Sequence, residues 1–299
     1  MPRSKYLMFL GCAIPYRVAS FEISARKILG KLGVELVEMP EFNCCGLPLD
    51  PVSHEMMLIL AARNLAMAEQ KGLDIITLCP GCAGTLRKVN KMLKEDKALR
   101  QEINKHLKEA GLEYEGTINA KHLIQALIED VGLEKIKDAV VKPLTMIKVA
   151  EHNGCHILRP KAYIGFDDPE NPKTLKTLIE ATGATCLDYM DETECCGAPS
   201  VGVNDKIALQ LARDKLNHIK MVDAQALITI CPFCHIMYDT NELRIEKMFN
   251  EQYGIPVLHY PQLLGLAMGI PPEELAFNDL RVNTSKILER VRKGEKVHA

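Results

Sequence analysis

Three features that would indicate other classes of protein are scarce in this sequence: net charge, long apolar runs and a secretion signal. The net charge is only -2 over 299 residues, so no strong positive field recruits nucleic acid. No stretch approaches the roughly 18 consecutive apolar residues of a membrane-spanning helix. The sequence therefore predicts neither a nucleic-acid partner nor a direct membrane span.

A secretion signal is also lacking. Arg3 and Lys5 flank the start of an apolar run, but that run extends only over the five residues from Tyr6 to Leu10. A signal peptide core needs roughly 7–15 residues, and a shorter run is typical of a buried strand. Eleven cysteines in 299 residues do not match the short, disulfide-rich secreted scaffolds either. We therefore expect a cytoplasmic, reducing location.

What the sequence does contain is a cysteine pattern that occurs twice. The first set is Cys12, the pair Cys44-Cys45 before Gly46, and the hook Cys79-Pro80-Gly81-Cys82; the second set is Cys155, the pair Cys195-Cys196 before Gly197, and the hook Cys231-Pro232-Phe233-Cys234. The lone cysteine and the pair are separated by 31 residues in the first set and 39 in the second, and the pair and the hook by 33 and 34. Only Cys186 stands outside the pattern, as a predicted core residue. Recurrence at near-equal spacing indicates a duplicated functional site.

The chemistry of five thiols in each set narrows the choice of site. A structural zinc takes four ligands, usually from two short hooks, and each set has only one hook. Neighbouring cysteines bind one zinc poorly, but they can bind different irons of a polynuclear cluster. Zinc sites, thiol–disulfide chemistry and buried reduced thiols remain alternatives. A glutaredoxin-like role for Cys231-Pro232-Phe233-Cys234 would leave the pairs and the lone cysteines without a function.

The glycine after each pair has a chemical reason of its own. Gly46 and Gly197 allow close approach of the backbone, so that an N–H group can point at sulfur. Recurrence in both sets favours this interpretation over an ordinary turn.

The order of predicted elements indicates an α/β fold built from two similar halves. Strands predicted at 7–10, 34–37 and 74–78 alternate with helices, and strands at 146–149, 185–187 and 226–230 repeat the arrangement. We therefore predict two pseudo-symmetric halves, each a small parallel sheet with flanking helices, with the cysteine clusters at the carboxyl ends of the strands. An apolar fraction of 47% is enough for a packed core in each half.

We place the domain boundary after residue 143. Residues 1–143 form the N-terminal domain, whose segment 111–143 is expected to be a helical linker. Residues 144–299 form the C-terminal domain with its tail. That tail is predicted to hold a short helix at 262–268 and a charged end that includes Lys296.

These residues resemble the B subunit of heterodisulfide reductase, which is built from two cysteine-rich CCG domains. The resemblance covers nearly the whole chain, and it is closest at the two Cys-Cys-Gly sites, at Leu10-Gly11-Cys12, at Asn153-Gly154-Cys155-His156, at 168–172 (DPENP) and at 180–184 (EATGA). It implies two [4Fe–4S] clusters of non-cubane type, each held by the five cysteines of one set. It also implies that the coenzyme M–coenzyme B heterodisulfide is reduced to two thiols, as in methanogenic archaea.

The resemblance implies partners as well. These are the ferredoxin-like C subunit of that enzyme, its flavin-containing A subunit and, through the complex, hydrogenase or formate dehydrogenase subunits. The ferredoxin motif C-x-x-C-x-x-C-x-x-x-C-P is not present, so electrons must arrive from another protein of the complex. The alternative function is that of a CCG electron-relay subunit in a lactate, glycolate or succinate oxidising complex.

A disulfide accepts two electrons, whereas an iron–sulfur cluster passes one at a time. Two clusters facing one disulfide explain the duplication, and they place the active site between the halves. Candidate proton or hydrogen-bond donors are His156 and His235, which lie beside cysteines. Four cations near the first cysteine of each set are candidates for contact with an anionic substrate: Arg17, Arg26, Arg159 and Lys161. The sequence does not decide which cluster is reduced first.

Overall fold

The computed structural model describes residues 5–295. Arg3 and Lys296, which entered the interpretation of the sequence, lie outside this range. Within it, no helix combines the length and the apolar character needed to cross a bilayer.

The first half is a parallel sheet of four strands with helices around it, in the strand order β2-β1-β3-β4. Its strands are β1 (Lys5–Phe9), β2 (Glu35–Val37), β3 (Ile75–Thr77) and β4 (Ala120–His122). Its helices are α1 (Ile14–Arg17), α2 (Ala19–Lys31), α3 (His54–Lys71), α4 (Pro80–Glu95), α5 (Lys97–Glu109), α6 (Leu123–Ala126) and α7 (Leu133–Asp138). A π-helical turn (Leu127–Val131) connects the last two helices.

The second half repeats this sheet in the equivalent order β6-β5-β7-β8. Its strands are β5 (Lys148–His152), β6 (Thr185–Cys186), β7 (Leu227–Thr229) and β8 (Val257–His259). Its helices are α8 (Lys161–Ile164), α9 (Thr174–Glu180), α10 (Asp205–Met221), α11 (Pro232–His235), α12 (Glu242–Phe249), α13 (Tyr260–Ala267) and α14 (Ser285–Glu295). The prediction of two similar parallel α/β halves is therefore confirmed.

The helices that position the cysteine pairs begin at side-chain caps. Ser53 accepts a hydrogen bond from the Met56 N–H at the start of α3, and Asn204 accepts one from the Ile207 N–H at the start of α10. Each helix follows a Cys-Cys-Gly site and a short 3₁₀ turn, Leu47–Leu49 in one half and Ala198–Ser200 in the other. The two sites thus have the same local frame.

Four details of the prediction were wrong. The segment 111–143 is not all helical, because Ala120–His122 forms β4 at the sheet edge beside β3. Likewise, Val257–His259 forms β8 where only a tail was expected. The sequence from Tyr16 to Leu32 predicts one helix, but the structure divides it into α1 and α2 at Val18, whose backbone is not helical. The strand predicted at 146–149 lies two residues later and ends at His152.

The larger hydrophobic core does not stop at the middle of the chain. It contains Leu7 and Phe21 of the first half together with Ile228, Leu258 and Tyr260 of the second. Helix α13 packs against α2, and His122 Nε2 lies 3.1 Å from the Ile230 carbonyl oxygen. The halves are therefore joined by shared apolar packing, and the boundary after residue 143 stays a prediction.

Candidate metal centres

The residues that follow β1, β3, β5 and β7 line one cavity of about 430 Å³. Nine of the ten pattern cysteines are on its wall, and they come from both sets: Cys12, Cys45, Cys79, Cys82, Cys155, Cys195, Cys196, Cys231 and Cys234. The tenth, Cys44, is half-buried beside it. The rest of the wall is mostly apolar, with leucine, proline, alanine and one phenylalanine. The fold thus brings the two sets to a single place between the halves.

Gly46 and Gly197 occupy equivalent positions in this frame. The Gly46 N–H donates to Cys44 Sγ, and the Gly197 N–H donates to Cys195 Sγ, each over 3.4 Å. Their φ angles are +92° and +85°, and an added Cβ would lie 2.8 Å from the Met57 oxygen or 2.5 Å from the Ala208 oxygen. Both positions therefore require glycine.

Gly11 and Gly154 are two further site residues, to which the sequence analysis gave no role. Each precedes the lone cysteine of its set and has a positive φ, +69° and +73°. A Cβ at Gly11 would lie 2.9 Å from Cys82 Sγ, and one at Gly154 would lie 3.2 Å from Cys231 Cβ. The signal that could have found them is their recurrence before Cys12 and Cys155.

All eleven cysteines carry free thiols, and those of the cavity are close enough to share protons. Hydrogen bonds from Cys44 and Cys82 lower the pKa of Cys45 to about 4. Hydrogen bonds from Cys155 and Cys196 lower the pKa of Cys195 to about 2. A hydrogen bond from Cys231 lowers the pKa of Cys79. The two hooks are close across the boundary between the halves, since a Cβ at Gly154 would lie 3.2 Å from Cys231 Cβ and 3.6 Å from Pro80 Cγ.

This donor set fits a thiolate-bound metal group. Thiolates are soft ligands that suit iron–sulfur clusters and zinc. His152, Cys196 and Cys234 place their ligand atoms within 4.8 Å of one another, as a single metal ion also requires. A single ion would leave most of the other thiols on the wall without a role. Five thiols in each set fit a polynuclear metal cluster better than a single ion.

His152 was not singled out from the sequence, although it lies at the second set. Its side chain is 2% exposed, and neither ring nitrogen has a hydrogen-bond partner. Burial, reinforced by the charge of Lys215, lowers the pKa of His152 to about 3, so the ring is neutral at pH 7. Its edge meets the Tyr238 ring, with 5.4 Å between the ring centres. The equivalent strand position in the first half is Phe9, and that difference was the available signal.

The structure brings one of the two predicted histidines to the cysteines. His156 is exposed and lines the cavity. His235 is buried, stacks on His259 with 4.0 Å between ring centres, and has its Nε2 3.6 Å from Asp239 Oδ2. It lines a separate polar cavity of about 430 Å³ that also contains Arg17. A role in proton transfer stays a prediction for both histidines.

None of the four candidate cations lies on the wall of the cysteine cavity. Arg26 forms ion pairs with Glu22 and Glu38, and Arg159 donates to the Pro169 carbonyl oxygen. Among the described residues, no lysine or arginine lines this cavity. The positive partner of an anionic ligand would therefore lie outside the cysteine cavity.

Comparison with known proteins agrees with this geometry. The family model of the CCG cysteine-rich domain matches residues 6–87 and 149–239, more than half of the chain. The chain is 37% identical, over 96% of its length and 97% of the relative's, to the B subunit of the ferredoxin/F420H2-dependent CoB–CoM heterodisulfide reductase of Methanosarcina acetivorans. It is 36% identical, over 96% of its length and 97% of the relative's, to the B subunit of the ferredoxin:CoB–CoM heterodisulfide reductase of Methanosarcina mazei.

The chain belongs to the family of heterodisulfide reductase B subunits. A further relative is the 8-methylmenaquinol:fumarate reductase membrane anchor subunit of Wolinella succinogenes, which is 32% identical over 95% of this chain and 99% of its own length. This family membership makes the chain an iron–sulfur oxidoreductase subunit that works within a larger reductase complex.

A solved structure shows the same fold. The crystal structure of a hypothetical protein from Helicobacter pylori superposes with a TM-score of 0.76 at 18% identity, covering 96% of this chain. This chain spans only 53% of the length of that structure. At this identity the likeness concerns the fold alone.

Proposed function

We propose that this chain is the catalytic subunit that reduces the coenzyme M–coenzyme B heterodisulfide to two thiols. The observation that carries the proposal is the single cavity with both cysteine sets on its wall. A cavity between two donor sets gives one disulfide access to both at once. The B subunits of Methanosarcina at 36–37% identity, named for this substrate, support the choice.

In this proposal each set of five cysteines holds one [4Fe–4S] cluster of non-cubane type. The first set would be Cys12, Cys44, Cys45, Cys79 and Cys82, and the second Cys155, Cys195, Cys196, Cys231 and Cys234. When bound, such groups supply electrons one at a time. The reduction of the disulfide consumes two electrons and two protons and yields two thiols. The free thiols of both sets and their contact at Cys79 and Cys231 support the assignment.

The other residues of the wall have physical tasks in this scheme. Leu10, Leu47, Pro48, Pro199 and Phe233 give an apolar surface that holds an aliphatic disulfide and excludes water. His156 is an exposed ring on the wall, and in this scheme it donates a proton to a departing thiolate.

Among the residues that the structure describes, no lysine or arginine lines the wall, and this supports a particular orientation of the substrate. A negative charge buried against apolar residues is costly without a counter-charge. The disulfide with its neighbouring methylenes therefore enters the cavity, while the anionic ends stay in solvent or meet other subunits. In this scheme, electrons come from a ferredoxin-like C subunit and a flavin-containing A subunit, with hydrogenase or formate dehydrogenase subunits further along the complex.

The test is anaerobic turnover by the reconstituted chain with reduced viologen as donor. Supplied with the heterodisulfide, it should release two thiols for each disulfide consumed, and viologen oxidation should match. Cluster reduction without thiol release would contradict the proposal. It would favour the alternative of an electron-relay subunit. One relative is named as a subunit of a fumarate reductase and not of a disulfide reductase.

A further inference from the structure

The two halves place different side chains at the same position of their sheets. Phe9 is the last residue of β1 and pairs with Thr77 of β3, whereas His152 is the last residue of β5 and pairs with Thr229 of β7. Each stands three residues before the lone cysteine of its set. The two sheets have the same strand order, so the replacement of a phenylalanine by a histidine is a difference between the two centres at one equivalent position.

The His152 ring is directed at sulfur. Its ligand atom and the Sγ atoms of Cys196 and Cys234 all lie within 4.8 Å of one another. A neutral imidazole carries one N–H, and neither ring nitrogen of His152 has a hydrogen bond of good geometry among the described residues, although the Glu192 backbone is close enough to raise the pKa of the ring. Since buried donors are nearly always paired, the acceptor of this N–H is either the Glu192 carbonyl oxygen or the sulfur of Cys196 or Cys234.

At two more pairs of equivalent positions, the second half has the charged or more polar side chain. Asn64 and Lys215 both lie eleven residues after the N-cap of their helix, α3 or α10. Leu86 and Tyr238 both lie four residues after the last cysteine of their hook. Near the second set there is thus an ammonium group that is 1% exposed, and a buried hydroxyl with no partner, where the first set has an amide and a leucine.

Lys215 also holds the loop before the second cysteine pair. Its Nζ donates to the Asp191 carbonyl oxygen and lies 3.4 Å from the Glu192 oxygen. The equivalent Asn64 donates over 3.1 Å to the Cys44 carbonyl oxygen. Both side chains fix the loop, but of the two only the lysine brings an ammonium group near the thiols, and Asp191 Oδ1 lies 3.7 Å from it as a counter-charge.

We propose that the His152 ring donates its N–H to sulfur of the second centre. This hydrogen bond raises the reduction potential of the second centre above that of the first. The second centre, held by the set that begins at Cys155, then takes the first electron. Hydrogen bonds to sulfur and nearby positive charge favour the reduced, more negative state of a cluster. His152 acts here as a positioning residue that tunes the centre through its donor.

The inference rests on the iron–sulfur part of the proposed function, but not on the disulfide. It is tested by redox titration of the reconstituted full chain with dithionite, followed by electron paramagnetic resonance. Cys12→Ser and Cys155→Ser assign the signals, since each should lose the signal of one centre. The higher midpoint should belong to the centre lost in Cys155→Ser, and the opposite order would overturn the proposal.

Exchange of the equivalent side chains isolates the histidine. In His152→Phe, which copies the first half, the midpoint of the second centre should fall while that of the first stays. His152→Gln keeps an N–H donor and should recover part of the loss. Phe9→His should raise the midpoint of the first centre.

Several outcomes count against the proposal. It fails if His152→Phe assembles both centres with unchanged midpoints, or if His152→Gln behaves like the phenylalanine variant. A strong nitrogen hyperfine coupling from labelled histidine would mean direct ligation of iron and would also overturn the donor role. Each readout is a potential or a spectrum, so a chain that cleaves no disulfide still gives a clear result.

Discussion

Gly197 shows how a single residue ties the cysteine pair to the fold. Gly197→Ala should lower the free energy of unfolding for two reasons, a left-handed backbone and a Cβ 2.5 Å from the Ala208 oxygen. The backbone term is about 1–2 kcal/mol, and overpacking adds roughly 1–3 kcal/mol. Thermal denaturation measures the sum.

Gly202→Ala is the matched control, because Gly202 has the same φ of +85° with nothing within 4 Å of its Cβ position. It should show the backbone term alone. Equal losses in the two variants would mean that the Ala208 contact is not a constraint.

Glu242 gives the protein a pH dependence of known sign. Burial, together with the nearby Glu246 carboxylate, raises the pKa of Glu242 to about 8. The pKa of Glu242 is lower in the unfolded chain, near 4.5. Between about pH 4.5 and pH 8 the folded state therefore binds more protons than the unfolded state, and the free energy of unfolding falls as pH rises. The slope from this group is at most about 1.4 kcal/mol per pH unit.

Glu242→Gln should remove that slope, because the amide imitates the protonated acid. Urea denaturation at pH 5 and at pH 8 compares the two proteins, and the variant should gain most at pH 8. A gain that is larger at pH 5 would contradict the assignment of the raised pKa.

At the level of single residues, recurrence in both sets was the most useful signal, although Gly11 and Gly154 recur and were missed. Gly46 and Gly197 were recognised because both sets contain them, and the sulfur-directed N–H groups confirm their predicted geometry. His152 was missed because one histidine in an apolar strand has no local pattern. Its significance comes from Cys196 and Cys234, which lie 44 and 82 residues further along the chain.

Among the helices, the division between α4 and α5 is governed by a cap. Asp96 accepts hydrogen bonds from the Ala98 and Leu99 N–H groups, each over 2.9 Å. Asp96→Ala should therefore cost about 1 kcal/mol of stability, and Asp96→Asn clearly less. Chemical denaturation is a suitable measurement.

The neighbouring Glu95→Ala is the control for that experiment. Glu95 forms only an exposed pair with Lys91 over 3.7 Å, and such pairs contribute little. A loss in Glu95→Ala as large as that in Asp96→Ala would refute the capping argument.

The elements most readily predicted were central strands such as β3 and β7, which lie within the predicted ranges 74–78 and 226–230. The strands β4 and β8 were missed although they are as long as β3 and β7, with three residues each. β3 and β7 run into the cysteines of the two hooks, whereas no cysteine of the pattern directly follows β4 or β8. The pairing of β4 with β3 and of β8 with β7 is decided by tertiary contacts, which local sequence does not show.

At the scale of the whole molecule, metal content decides between the main alternatives. If both five-cysteine sets bind four-iron clusters, the anaerobically reconstituted chain should contain about eight irons and as many acid-labile sulfides. Iron and sulfide analysis gives both numbers. Stoichiometric zinc without labile sulfide would revive the zinc interpretation, for which His152, Cys196 and Cys234 are the most compact donors.

The sequence predicted two halves but not how they are joined. An apolar fraction sufficient for two cores does not say whether the cores are separate. In the structure, residues of α2 and α13 meet across the boundary, and the larger core spans both halves. Such long-range packing depends on which faces of the helices come together, and one sequence does not show that.

The nearness of the two hooks has a consequence for how the molecule would store charge: a Cβ at Gly154 would lie 3.2 Å from Cys231 Cβ and 3.6 Å from Pro80 Cγ. If the two proposed clusters form there, they cannot titrate independently, because their ligands are close in a poorly screened interior. An electron on one repels the next, so loading is anticooperative, and the two midpoints are properties of the pair. The gap between them in the intact protein should exceed the gap between the two single-centre variants. The molecule would then dwell in a one-electron state, half charged, until a substrate able to accept two electrons arrives.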